Sequence, residues 1–198
     1  MDDEATHRRR RVGLAGHRGD AATARSHLTD PAAAVRTSAL RAVQRADRLD
    51  ESELRSALGD PDPGVRIAAL ELAATTDAPP VHPLLDDPDP RVAETAAWVC
   101  GERGGLAGAV IERLSEMARH HRDALCRESA VAALGALGDR VGLAAVLAAL
   151  DAKPAIRRRA VVALAAVEGA EVEAALVRAR SDRDRQVREA VEELIGPA

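Results

Sequence analysis

The stretch "DPDPGVRIAALELA" at residues 60–73 is followed by a close copy, "DPDPRVAETAAWVC", at residues 87–100. Both copies begin with acidic residues and prolines, and both continue with small apolar residues at helical spacing. Asp62 can cap the free N–H groups at the start of a helix, and Pro63 suits the first turn, where its missing N–H is not needed. Each copy therefore predicts the start of an amphipathic helix, and the repetition predicts a chain built from copies of one unit.

The same pattern occurs six times along the chain. Each copy is marked by an apolar anchor, usually followed by arginine: Val35, Val65, Val92, Cys126, Ile156 and Val187. The anchors lie 30, 27, 34, 30 and 31 residues apart. Residues four and eight positions after each anchor are apolar, which places them on one face of a helix, called helix B below. A shorter apolar-patterned segment, helix A, precedes most copies, for example from Glu51, Val110, Val141 and Glu171.

One helix pair of this kind cannot bury its apolar face alone, so neighbouring pairs must cover it. The sequence therefore predicts an all-α fold, a right-handed α-solenoid (an alpha-alpha superhelix) of about six helix pairs. We expect residues 1–19 to form a basic N-terminal segment and half-repeat cap, and residues 20–198 to form the array. Within the cap, we interpret "HRRRR" at residues 7–11 as a solvated cluster.

The composition narrows the class of protein. The 198 residues are 46% hydrophobic and 30% charged, and they include one Trp, no Phe and no Tyr. Small apolar side chains favour helices in close contact. The net charge of −4 argues against the whole chain as a binder of polyanions. The N-terminus lacks the apolar core of a signal peptide, and no apolar run approaches a membrane span, so we predict a cytoplasmic protein without membrane association.

The repeated columns resemble the HEAT repeat, in particular the short bacterial type called PBS-lyase HEAT-like repeats. The resemblance rests on "DPDPGVRIAALELA", "CRESAVAALGALGD" from Cys126 and "IRRRAVVALAAVEG" from Ile156, and it covers about residues 20–196. It implies the solenoid fold, and it implies function only as a class. Proteins with such repeats include scaffolds, adaptors, a chromophore lyase and a metal-dependent hydroxylase.

The resemblance also implies a structural ladder, because the arginine after the anchor commonly pairs in this family with an Asp near the turn between helices A and B. It assigns to this ladder Arg36, Arg66, Arg127, Arg157 and Arg188 together with Asp30, Asp60, Asp151 and Asp182. Repeat three has Ala93 in place of the arginine, and repeat four has His121 in place of the Asp. We therefore expect the ladder to be weakest between repeats three and four, with an irregularity or hinge near residues 101–108.

Catalytic signals are weak in this sequence. Cys100 and Cys126 occupy core columns, where thiols are usually inert. The six histidines form no His-Glu pair of the kind that a HEAT-type hydroxylase uses for iron, and "GERGGLAG" at residues 101–108 lacks the context of a phosphate-binding loop. We predict no catalytic residue, no metal site and no cofactor. A lyase-like or chromophore-related activity stays open as an alternative.

The strongest functional signal is a binding face. Residues two, six and nine positions after each anchor should line the concave side of the array. In the column nine positions after the anchor, this expectation includes Gly101 and Gly135. The predicted partner-binding residues are Trp98, Ile67, Glu71, Glu94, Glu128, Ala132 and Val162. An exposed Trp among glutamates indicates a protein or peptide partner that carries Lys or Arg.

Two alternatives remain for this face. Trp98 could instead pack sideways between repeats two and three. The arginine clusters at residues 7–11 and 156–159 could instead bind nucleic acid, although such a surface usually also needs aromatic side chains for unstacked bases. The sequence thus predicts a non-catalytic scaffold or adaptor, with a nucleic-acid-binding array as the alternative.

Overall fold

All of the secondary structure in the described residues is helical. The computed structural model describes residues 3–75 and 79–196, and within them no strand occurs. Twelve α-helices and three short 3₁₀ segments account for the regular structure of these residues. None of the described helices combines the length and the apolar character that crossing a membrane requires. The chain divides into two compact units, Met1–Val81 (unit one) and His82–Ala198 (unit two).

Unit one contains three long helices side by side with two short ones against them. Its helices are α1 (Asp3–His17), α2 (Ala21–Arg25), α3 (Ala33–Ala46), α4 (Glu51–Leu58) and α5 (Pro63–Ala73). Helix α3 packs between α1 and α5, while α2 and α4 lie against α3 and α5. Local sequence signals set where these helices begin. Asp50 and Glu53 form a capping box at the start of α4. At the start of α5, the Asp62 carboxylate accepts from the N–H of Gly64, and Pro63 is the first residue of the helix.

Unit two repeats this arrangement over four helices B. Its helices are α6 (Pro90–Arg103), α7 (Gly108–His120), α8 (Ala124–Leu137), α9 (Leu143–Ala148), α10 (Pro154–Leu164), α11 (Ala170–Ala179) and α12 (Arg185–Ile195). Short 3₁₀ segments cover His82–Asp86, Arg140–Gly142 and Ala149–Asp151. Helices α6, α8, α10 and α12 form a layer in which each packs on the next, and α7 and α11 cover α8 and α12. Stacked helix pairs in each unit are the predicted α-solenoid arrangement.

The predicted core columns are buried. The column four positions after the anchor is fully inaccessible to solvent; it consists of Ala39, Ala69, Ala96, Ala130, Ala160 and Val191. The column eight positions after the anchor is also buried in the first five repeats, but Ile195 is 39% exposed. That prediction was wrong for Ile195 because it is the last residue of α12, and no later described helix covers it.

Glycines set the spacing between neighbouring helices B. A Cβ added to Gly101 would lie 2.9 Å from the Cα of Ala133, and one added to Gly135 would lie 2.6 Å from the Cα of Ala163. Gly16 meets Ala42 in unit one in the same way. The expectation that Gly101 and Gly135 line the binding surface was therefore wrong, because both lie at the contact between adjacent helices.

The structural ladder is present as two kinds of bond. In the five repeats that carry the arginine, its guanidinium donates to a backbone oxygen of the same repeat's A–B turn: Arg36 to Asp30, Arg66 to Asp60, Arg127 to His121, Arg157 to Ala152 and Arg188 to Asp182. The same guanidinium can also pair with the Asp carboxylate of the next repeat. Arg36 does so with Asp60 and Arg157 does so with Asp182, each at 2.7 Å. These pairs tie successive repeats together.

The ladder also extends into the N-terminal cap, which the sequence did not indicate. The Arg8 guanidinium pairs with Asp30 at 2.8 Å, and Arg11 donates to the ring of the buried His27 at 2.8 Å. The interpretation of residues 7–11 as a solvated cluster was therefore wrong for Arg8, whose side chain is only 21% exposed.

Asp151 departs from the assigned ladder. Among the described residues no ion pair joins it to Arg127 or to Arg157, and Asp151 is exposed. The cause is local: the 3₁₀ turn runs through Asp151, and the N–H of Ala152 donates to the carbonyl of Ala149. In repeat two, by comparison, the turn ends at Asp60, whose side chain accepts from the N–H of Asp62. The turn of repeat five ends one residue later, at Ala152.

The segment between α6 and α7 is irregular, as the sequence predicted. Residues 104–107 are not helical, and Gly104 and Gly105 both have positive φ, at 61° and 57°, which favours glycine. Both flanking helices pack on α8 within unit two, so this segment is a loop inside a compact unit. The division between the two units lies at Val81–His82 instead.

Candidate binding face

The outward side of the helix-B layer in unit two brings together five of the predicted residues. We call this surface the helix-B face, formed by Glu94 and Trp98 of α6, Glu128 and Ala132 of α8, and Arg158 and Val162 of α10. The Trp98 side chain is 43% exposed and Val162 is 53% exposed, while Ala132 between them is half-buried. Trp98 thus presents much of its indole to solvent, although its neighbours Ala97 and Val99 are fully buried.

Close packing of three helices brings side chains of different size next to one another on this face. Because Gly101 meets Ala133 and Gly135 meets Ala163, helices α6, α8 and α10 approach more closely than larger residues would permit. Trp98, Ala132 and Val162 occupy the same column on these three neighbouring helices. Ala132 presents only a methyl group between two larger, exposed side chains, and from this difference in size we infer a shallow depression over Ala132.

Leu125 belongs to the same face and was missed by the sequence analysis. Its side chain is 58% exposed. It stands three positions before Glu128 and seven before Ala132 on α8, and residues at this spacing share one side of a helix. The signal was present in the sequence one position before the anchor, a column that counting from the anchor onward did not include.

The acidic groups of the face are unevenly compensated. Burial, followed by the charges of Asp123 and Glu128, raises the pKa of Glu94 above its ordinary value. Glu128 faces Arg159, with 3.4 Å between the guanidinium and the carboxylate. No Lys, Arg or His among the described residues lies within ion-pair distance of Glu94. The face therefore holds one half-buried carboxylate whose negative charge has no local cation.

The face continues toward α12 as a mixed-charge depression. A cavity of about 340 Å³ lies between α10 and α12, lined by Arg158, Arg159, Val162, Gln186, Glu189, Ala190 and Glu193. Its two guanidiniums and two carboxylates give it no net charge. The acidic character is thus concentrated around Glu94 and Trp98.

Ile67 and Glu71, the remaining predicted binding residues, lie on α5 in unit one. Ile67 is half-buried, and the Glu71 carboxylate pairs with Arg41 of α3 at 3.0 Å. Because Arg41 already compensates the charge of Glu71, Glu71 attracts a cation of a partner less strongly than Glu94 does.

The two thiols are placed for packing. Cys100 and Cys126 are fully buried, and burial raises the pKa of each to about 11. The Cys126 thiol donates to the carbonyl oxygen of Pro90 at 3.1 Å. In the described part of the chain, no group of three or more His, Cys, Asp or Glu residues is arranged to hold a metal ion.

We expect neither thiol to react with Ellman's reagent at pH 8 in the folded protein, because a buried thiol with a raised pKa supplies almost no thiolate. Both should react when guanidinium chloride unfolds the chain. Counting released thiolate by absorbance checks this expectation, and rapid modification of one thiol in the native protein would contradict the core assignment.

Known proteins that resemble this chain have helical repeats. Residues 52–135 match the family model described as HEAT repeats. Human deoxyhypusine hydroxylase, solved in complex with glycerol, is similar with a TM-score of 0.51 and 22% identity over 98% of this chain and 80% of that one. An engineered protein aligns with a TM-score of 0.45 and 14% identity over 93% of this chain and 81% of that one. No curated protein matches the chain.

At such low identity, the likeness to the hydroxylase concerns the fold alone. It agrees with the stacked helix pairs of both units and with the family match across the middle of the chain. The all-α solenoid predicted from the repeated columns is therefore confirmed, and residues 52–135 are the part of the chain that matches the HEAT repeat model.

Proposed function

We propose that this protein is a non-catalytic scaffold or adaptor that binds a basic protein segment on the helix-B face of unit two. The observation that carries the proposal is the exposure of Trp98, 43%, next to the uncompensated carboxylate of Glu94. Binding energy in protein interfaces concentrates in a few residues, and Trp is among the most frequent of them.

Charge complementarity supports a basic partner. Glu94 and Trp98 are four residues apart on α6 and therefore lie on the same side of the helix, one turn apart. A Lys or Arg side chain of a partner can pair with the carboxylate and contact the indole face at the same time, which combines an ion pair with a cation–π contact. Such a contact relieves the repulsion among Glu94, Asp123 and Glu128.

Nucleic acid is a weaker candidate because four of the seven arginines in the two clusters, including Arg11 with its hydrogen bond to His27, are engaged within the fold. Arg8 pairs with Asp30, Arg157 with Asp182, and Arg159 with Glu128. A phosphate-binding surface needs several cations free to replace counterions, and its affinity falls steeply with salt. An affinity for DNA that falls about a hundredfold or more between 50 and 200 mM salt, as expected for several phosphate contacts, would favour this alternative.

Trp98→Glu tests the proposal. We expect peptides selected by the wild-type protein from a phage-displayed library of random peptides to be rich in Lys and Arg. Their affinity for Trp98→Glu should fall at least about thirtyfold, as expected when a central aromatic contact is lost. Labelled synthetic copies of the selected peptides give the affinity by fluorescence anisotropy.

Val177→Glu is the matched control. Val177 is 60% exposed and lies on α11, a helix A of the same unit. Circular dichroism should show equal helix content in both variants and in wild type. If both variants keep the wild-type affinity, the proposed face is refuted. If both lose affinity equally, the loss is a general effect of added charge and the proposed face is likewise not supported.

A further inference from the structure

The depression over Ala132 defines the chemistry of the bound segment more closely, and this step rests on the proposed function. We propose that the segment inserts one large aliphatic side chain, such as Leu, Ile or Met, over Ala132 between Trp98 and Val162. The same segment places a Lys or Arg beside Glu94. The expected ligand is therefore a short peptide segment in which an aliphatic anchor and a cation are neighbours.

The walls of the depression are apolar and exposed. Trp98 is 43% and Val162 53% exposed on the two flanking helices, and half-buried Ala132 forms the floor. The floor rests on the close contacts of Gly101 with Ala133 and of Gly135 with Ala163, so it is part of the rigid helix layer. An aliphatic side chain placed there removes apolar surface of all three residues from water, which is the main source of affinity at such a site.

The position of the cation follows from the charges. Glu128 already faces Arg159, and the cavity beyond Val162 contains two arginines and two glutamates, so neither attracts a cation strongly. Glu94 is the carboxylate of the face without a cation at ion-pair distance among the described residues, and burial together with Asp123 and Glu128 raises its pKa. A partner's cation is therefore stabilised most beside Glu94.

Geometry limits the spacing between anchor and cation. Packed helices lie about 8–10 Å apart, and an extended chain advances about 3.3 Å per residue. Ala132 is on the helix next to that of Glu94, so an extended segment covers this interval in about three residues. We expect the Lys or Arg within about three positions of the aliphatic anchor.

The experiment uses the full chain and the library of random peptides. Wild type should enrich peptides with Leu, Ile or Met within three positions of Lys or Arg. Ala132→Leu fills the depression from a half-exposed helix position and should lower the affinity for a selected synthetic peptide about tenfold or more. Glu94→Gln should weaken the same peptide severalfold, yet leave unchanged the affinity of its derivative in which citrulline replaces the cation.

Trp98 supplies an independent measurement because the chain contains one Trp and no Tyr or Phe. Its emission should shift to shorter wavelength when the anchored peptide binds, and the shift should be smaller for a peptide with Ala in place of the anchor. Ala132→Leu that binds the selected peptide as tightly as wild type would overturn the anchor. Enriched peptides without an aliphatic residue near the cation would also overturn it.

The two proposals fail in different ways. If Trp98→Glu abolishes binding while Ala132→Leu and Glu94→Gln bind as wild type does, the helix-B face stands as the binding surface and the anchor proposal is wrong. If Trp98→Glu keeps the full affinity, the proposed function itself is wrong. Val177→Glu serves as the control for both comparisons.

Discussion

Replacing Arg157 with methionine is expected to destabilise the folded protein by about 3–5 kcal/mol. The Arg157 guanidinium forms two hydrogen bonds with the Asp182 carboxylate, at 2.7 and 2.8 Å, and a third with the carbonyl of Ala152. The two side chains are only 5% and 13% exposed. Methionine leaves a buried carboxylate without its main donor, and that loss exceeds what its apolar stem recovers. Urea unfolding followed by circular dichroism at pH 7 measures the change.

Arg158→Met is the matched control because Arg158 is the exposed neighbour on the same helix, with no ion pair among the described residues. A surface substitution of this kind should change the free energy of unfolding by less than about 0.5 kcal/mol. Equal effects of the two substitutions would contradict a structural role for the Arg157–Asp182 pair.

The effect of Arg157→Met should also depend on pH. Hydrogen bonds from Arg157 lower the pKa of Asp182 below its ordinary value of 3.8 in the folded state. The stabilisation is therefore fully present above this value and is lost as the pH falls through the folded pKa. In the variant, burial still disfavours the charged form of Asp182, but the Arg157 guanidinium no longer opposes this effect. The Asp182 carboxylate should therefore take up its proton at a higher pH in the variant than in wild type. The difference in stability between wild type and variant should therefore shrink as the pH falls towards and below about 4.

Between repeats three and four, the natural sequence lacks both the Arg and the Asp of the ladder. Ala93 is fully buried where other repeats have the arginine, and His121 stands where they have the Asp. The His121 ring accepts from the N–H of Asp123 at 3.1 Å, just as the Asp60 carboxylate accepts from the N–H of Asp62 in repeat two. Both charges are absent together, which avoids the isolated buried carboxylate that Arg157→Met would create.

The features that could be predicted from the sequence depend on one helix at a time. Apolar spacing identified the buried columns, and the pairing of Asp62 with Pro63 identified a helix start, because both effects act within a few residues. The same counting placed Trp98 on a side of α6 different from that of its buried neighbours Val99 and Cys100.

The features that could not be predicted depend on a second helix. A residue nine positions after the anchor lies beside the core, and the sequence does not tell whether solvent or a neighbouring helix B meets it there. Gly135 meets Ala163, whereas Ala165 at the same position of repeat five is exposed to solvent. The Arg8–Asp30 pair was missed for a similar reason: His7, not an apolar anchor, precedes Arg8, so the repeat pattern gave no alignment for the cap.

Adding a single methyl group at Gly135 is expected to destabilise the protein by about 1–3 kcal/mol, even though alanine is the better helix former. The new Cβ of Gly135→Ala would lie 2.5 Å from the Cβ and 2.6 Å from the Cα of Ala163, and the Cα belongs to the backbone of α10. Helices α8 and α10 must therefore move apart, which loosens the packing of the whole layer. Thermal and urea unfolding followed by circular dichroism measure the loss.

Gly13→Ala is the same substitution in open space and should have the opposite sign. Gly13 lies within α1, and no atom comes within 4 Å of a Cβ added there. Alanine should therefore stabilise the protein by about 0.5–1 kcal/mol, because it restricts the unfolded chain and favours the helix. The opposite signs separate the packing effect from helix propensity. Stabilisation by Gly135→Ala would mean that the two helices are not held as closely as the contact with Ala163 requires.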